Sequence, residues 1–190
     1  MNSRNEASCV TLGSGNLRDA VRLPFGEDQN EWLAMNLSDM YNQVCMLVGT
    51  LDQACTPEKC PKMTAAAGHE YLWQDSNKQT LSTSAPEYIS YLLTGIHDQL
   101  DDENVFPSQL GKSFPPDFLS ICEGIMSRLF RVYAHVYHAH SNDIIKLNAM
   151  AHINTSLKHF ILFAREFKLI PRAKMVPLQS VLDTLCPANS

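Results

Sequence analysis

Cys55 and Cys60 close the string Cys55-Thr56-Pro57-Glu58-Lys59-Cys60, and far downstream His135, His138 and His140 crowd one short stretch. A thiolate pair joined to an imidazole pair is a donor set that zinc takes in tetrahedral structural sites. Pro57 and Pro61 stiffen the cysteine turn. With ligands so far apart, one ion would cross-link a loop to a distant helix. Four protein donors would also leave no position for a substrate or an activated water. His135 and His138 share a helical face, whereas His140 reaches the same point only if the helix ends or turns there. Spacing does not choose between His138 and His140.

Two charged constellations accompany this set. Arg128 and Arg131 lie one turn apart on the polar side of an apolar helical run, where both guanidinium groups are expected to be accessible. Such a pair can fork onto one phosphate through charge-assisted hydrogen bonds, each worth roughly 1.5–3 kcal/mol before ordering costs. Two solvated arginines are the plainer alternative. Glu27, Glu31, Trp32 and Asp39 set acids and a tryptophan along adjoining faces of another run. Carboxylates at a helix start meet the macrodipole favourably, which is reason enough for Glu27 and Asp28. An exposed Trp32 would anchor a basic partner and a buried one would belong to the core; the sequence leaves both open.

The elements that must position these residues are mostly helical. A short helix is expected around Leu17–Arg22, then a long one from about Asp28 to Leu51, in which Leu33, Met40, Val44, Leu47 and Val48 recur at helical spacing. Residues 52–68 form a loop rich in Pro, Cys and small residues. Glu70–Trp73 and Gln79–Thr83 flank Asp75-Ser76-Asn77-Lys78 as a small hairpin. Pro86 opens a helix that runs to about Leu100. A proline-rich loop follows from Asp101 to Pro116. The next helix, to about His138, carries the stripe Phe118, Cys122, Ile125, Leu129, Val132 and Val136. Helices near 142–149, 151–167 and 177–185 complete an all-α chain, a helical bundle with one small β decoration. Residues 1–10 read as a disordered tail and 11–190 as a single domain.

Bulk composition narrows the function classes. The chain has 190 residues, 45% of them hydrophobic, enough for a proper core. A formal net charge of −5 disfavours a nucleic-acid footprint. No early apolar run reads as a signal peptide and no stretch reads as a membrane span. Cys9, Cys45, Cys122 and Cys186 are scattered singly, with Cys45 and Cys122 on apolar stripes as small core residues. The expected setting is therefore reducing, cytoplasm or nucleus. No Walker-A loop, zincin His-Glu-x-x-His or zinc-deaminase pattern occurs, so an enzyme is not expected.

Longer strings carry a family resemblance. Thr11-Leu12-Gly13-Ser14-Gly15-Asn16-Leu17-Arg18, Leu23-Pro24, Gly26-Glu27-Asp28 and Asn30-Glu31-Trp32 resemble the opening of the Mob (Mob/phocein) kinase activators. So do Asp98–Glu103 with Phe106-Pro107, the run Arg128–His140, and His152–Phe160. The similarity extends from Thr11 to the last helix, and the opening is most similar to the subgroup that activates NDR/LATS-type kinases.

The resemblance implies a Mob-like helical bundle acting as a non-catalytic kinase coactivator and scaffold, with one structural zinc per chain. Its ligands, carried over by position, are Cys55, Cys60, His135 and His140. The implied kinase-binding surface, for the N-terminal regulatory region of an NDR/LATS-type AGC kinase, comprises Glu27, Glu31, Trp32 and Asp39 with Phe106 and Pro107 nearby. Arg128 and Arg131 are the implied phosphopeptide-binding residues, which receive phosphorylated segments of an upstream Hippo/Ste20-like kinase or scaffold. Thr11 matches a threonine phosphorylated in some members. Ser127 stands where the family's pocket usually has a lysine, so loss of one of three cations is expected to weaken capture of a phosphothreonine. The alternative function is a phosphopeptide-reading adaptor of a phosphatase or membrane-traffic assembly, without kinase activation.

Overall fold

A computed structural model describes residues 16–75, 77–109 and 111–187. Residues 1–10 and Thr11 lie outside the described residues. Helix α1 (Leu17–Ala20) leads into α2 (Gln29–Gly49), whose N-cap Asp28 accepts from the backbone N–H groups of Asn30 and Glu31 at 2.8 and 3.1 Å. Leu33, Leu37, Met40, Val44 and Leu47 form the buried stripe of α2, and Val48 packs at its margin. Helix α3 (Ala85–Leu100) has Pro86 in its first turn, and the Glu87 carboxylate accepts from both the N–H and the hydroxyl of Ser84.

Helix α4 (Phe118–Ala139) is the centre of the molecule. All six residues of its expected stripe are buried, and Met126, Phe130, Tyr133 and Ala134 widen that stripe around most of the helix. A helix apolar on most sides needs neighbours on most sides. Here α2, α3, α5 (Ser141–Lys146) and the C-terminal 3₁₀ turn Val176–Leu178 all pack on it. Helix α6 (Met150–Glu166) packs on α2, and α7 (Arg172–Met175) and α8 (Gln179–Leu185) close the chain. A hydrogen-bonded chain ties α4, α6 and α2. Tyr133 Oη lies 2.6 Å from Ser156 Oγ, and the Ser156 hydroxyl donates to Gln43 Oε1 at 2.9 Å.

The hairpin forms where expected but is shorter: β1 (Trp73–Gln74) pairs antiparallel with β2 (Thr80–Leu81). Asp75 Oδ1 accepts from the N–H groups of Asn77 and Gln79, closing the turn, and Lys78 adopts a φ of 62°. The sequence expectation also needs correcting at Cys45, which is half-buried and lines a cleft, whereas Cys122 lies in the core. No helix among the described residues is long and apolar enough to cross a membrane.

Candidate metal centre and docking surfaces

The loop after α2 is wound so that both thiols face α4. The N–H of Cys55 donates to Leu51 O and that of Cys60 to Thr56 O, while Cys60 O accepts from Ala85 N at 2.9 Å, stitching the loop to the start of α3. His135 projects from the last turns of α4. His140 follows the last residue of that helix, with φ −122° and ψ 14°, and this break turns its ring back toward His135. The helix end thus decides what spacing left open: His140 joins the cluster, and His138 is exposed.

Cys55, Cys60, His135 and His140 present ligand atoms that all lie within 4.8 Å of one another. Cys55 Sγ is 3.6 Å from His135 Nε2, and Cys60 Sγ is 3.5 Å from His140 Nε2. Zinc–sulfur bonds of about 2.3 Å and zinc–nitrogen bonds of about 2.0–2.1 Å at tetrahedral angles separate S and N by about 3.6 Å. The observed spacings match the edges of such a tetrahedron. The far ring nitrogens are held as well. His135 Nδ1–H donates to Thr64 O at 2.8 Å, which leaves the Nε2 lone pair facing inward, and His140 Nδ1 meets Asp143 Oδ2 at 3.3 Å.

Electrostatics agree with the geometry. Burial, reinforced by the neighbouring Cys60, pushes the Cys55 thiol up to about 12, and burial raises Cys60 too. Burial pulls His135 down to about 4, so its imidazole is neutral, as a ligand must be. Thiolates at this depth need a local positive charge, and a dication supplies it. The four residues therefore fit a metal ion, whose chemistry here is cross-linking: every protein donor is used. A cleft of about 510 Å³ between α2 and α3, lined by Cys45, Ile89 and Leu93 among others, opens beside Cys55 and His135.

The arginine pair is asymmetric, unlike the sequence expectation of two accessible groups. Arg128 is exposed, and Arg131 is half-buried, donating to the Tyr88 hydroxyl with its guanidinium 5.4 Å from the centre of the Tyr71 ring. Trp73 of the hairpin packs edge-on against Tyr88 at 5.5 Å, backing the tyrosine that holds this arginine. Tyr71 and Tyr88 were not singled out in the sequence, because their role depends on that packing. Lys174 was missed for the same reason; its Nζ donates to Ser127 Oγ at 3.3 Å from α7.

Glu27, Glu31 and Asp39 are exposed along the start and outer side of α2. Trp32 is half-buried, packed on the core, with its indole N–H donating to Val21 O at 3.4 Å. Phe106 is buried edge-on against Phe118, as part of the core, and Pro107 is half-buried. Two apolar side chains near these acids in sequence are open to solvent: Phe25, two residues before Glu27, is fully exposed, and Met35, between Glu31 and Asp39 on α2, is 52% exposed.

Comparison with known proteins adds an independent line. The profile of the Mob1/phocein family matches residues 9–178. The chain is 52% identical over 178 residues to MOB kinase activator-like 1A of Medicago sativa subsp. falcata, covering 93% of this chain and 83% of that protein. It is equally identical to MOB kinase activator-like 1B of Arabidopsis thaliana, with the same shares covered. To MOB kinase activator-like 1 homolog A of Dictyostelium discoideum it is 51% identical, over 93% of this chain and 84% of that one.

Proposed function

The chain belongs to the Mob1/phocein family, and from that premise we propose that it is a non-catalytic kinase coactivator and scaffold. Its acidic edge on α2 binds the basic N-terminal regulatory region of an NDR/LATS-type AGC kinase. Its arginine face docks phosphorylated segments of an upstream Hippo/Ste20-like kinase or scaffold. One structural zinc on Cys55, Cys60, His135 and His140 fixes the loop between α2 and α3 to the end of α4. The names of the curated relatives, all kinase activators, support the general role.

The observation that carries the kinase reading is the combination of Glu27, Glu31 and Asp39 with the exposed Phe25 and Met35. Acids select and steer a basic segment, and exposed apolar anchors supply the desolvated contacts that hold it. A phosphopeptide-reading adaptor without kinase activation would need only the arginine face. Activation follows if the bound arrangement of the kinase is its active one, because a coactivator shifts an equilibrium only by its differential affinity. Docking an upstream kinase on the same scaffold raises its effective concentration. Thr11, at the position where the resemblance implies phosphorylation, adds a regulatory input.

Calorimetry against the basic N-terminal fragment of an NDR/LATS-type kinase tests the surface. The double substitution Glu27→Lys with Glu31→Lys weakens binding by at least about tenfold, through lost charge complementarity. Unchanged affinity rejects the assignment. Trp32→Ala is a poor probe here, since it also removes core packing and the bond to Val21.

A further inference from the structure

We propose that Lys174 is the third cation of the phosphate site, so that a phosphoryl group is held by Arg128, Arg131 and Lys174 together. The proposal rests on the reading of the arginine face as a phosphopeptide site. At 100° per residue, Arg131 lies about 40° from Ser127 and about 60° from Arg128 on the helix, between the two. Lys174 Nζ donates to Ser127 Oγ at 3.3 Å, and so reaches the flank of Arg131 opposite Arg128. Arg131 is the fixed centre, pinned by Tyr88 and Tyr71. Lys174 is exposed, but its helix is anchored by the buried Met175 and Leu178, which hold the lysine at this face.

The charge balance points to an anion. The chain carries 20 acidic against 15 basic side chains, yet none of these three cations has a carboxylate within ion-pair distance among the described residues. Three positive groups on one face repel one another, and a phosphoryl group with a charge of about −1.5 to −2 offsets that. Ser127 contributes as well: its oxygen accepts from Lys174, which leaves the hydroxyl proton for a phosphate oxygen. A serine at 127 is then no deficit, because the cation arrives from α7 and the small side chain leaves room for it. A lysine at 127, a position only 6% exposed, would crowd a second ammonium against Lys174.

The test is binding of the purified chain to an immobilised degenerate phosphothreonine peptide library, with the unphosphorylated library as control and inorganic phosphate as competitor. Lys174→Gln is expected to weaken phosphate-dependent binding about tenfold, as the loss of a charge-assisted bond does. Lys174→Arg retains it, and Ser127→Lys gives no gain. Arg128→Ala tests the underlying site separately, because that side chain is exposed and makes no hydrogen bond or ion pair among the described residues whose loss would disturb the fold. If Arg128→Ala weakens binding while Lys174→Gln leaves it intact, the proposal for Lys174 falls and the site stands. A gain from Ser127→Lys overturns the proposal equally. If Arg128→Ala leaves phosphate-dependent binding untouched, the site reading fails and the proposal with it.

Discussion

Cys55 and His135, eighty positions apart in sequence, bring Sγ and Nε2 to 3.6 Å. A metal ion shared by Cys55, Cys60, His135 and His140 would account for that approach. One zinc per chain is therefore expected by metal analysis. Chelation, or Cys60→Ser, removes on the order of 3–5 kcal/mol, the scale of a lost metal site. For a chain of this length that lowers Tm on the order of 10 °C. Most far-UV ellipticity should survive, because the core of α2, α3, α4 and α6 contains no ligand except at the end of α4. Chelation that leaves Tm unchanged removes the metal from the account.

The Tyr133–Ser156–Gln43 chain makes an asymmetric prediction. Ser156→Ala leaves the buried Tyr133 hydroxyl without its partner and costs about 1–3 kcal/mol. Tyr133→Phe removes the donor while Ser156 keeps Gln43, and costs about 0.5–1.5 kcal/mol. Urea denaturation of the two variants checks the order, and equal costs would argue against the chain.

His159 ties stability to pH. Burial pulls its pKa below the ordinary 6.5, while Asp39 acts in the opposite direction. The unfolded chain therefore takes up a proton at His159 before the folded chain does. This contribution to stability is complete above about pH 6.5 and is lost as the pH falls below it. His159→Gln should flatten that part of the stability–pH curve in denaturation series at pH 5 to 7. Asp39→Asn should steepen it, because the carboxylate no longer favours the folded imidazolium. An unchanged slope in His159→Gln contradicts the assignment.

Legibility from sequence followed how local each feature is. The core stripe of α4 was readable from Phe118 to Val136 because one helix writes its own period, and Asp28 and Pro86 mark helix starts through local backbone chemistry. The ligand types were readable, but the choice of His140 over His138 depends on where α4 ends, at His140 with φ −122° and ψ 14°, which spacing alone does not give. Phe106, which the resemblance puts near the kinase-facing surface, is buried with its ring edge-on to Phe118, a contact between separate segments. The half-burial of Arg131, the cleft beside Cys45 and the reach of Lys174 to Ser127 all join residues from separate elements. No periodicity within one segment encodes them.

The most direct measurement of the central claim is the phosphotransfer rate of a purified NDR/LATS-type kinase with and without this chain. The wild-type chain is expected to raise the rate at saturating substrate, and the Glu27→Lys, Glu31→Lys variant, matched for zinc content and Tm, to lose that stimulation. No stimulation by the wild-type chain, or equal stimulation by the variant, would contradict a coactivator that works through the acidic edge of α2.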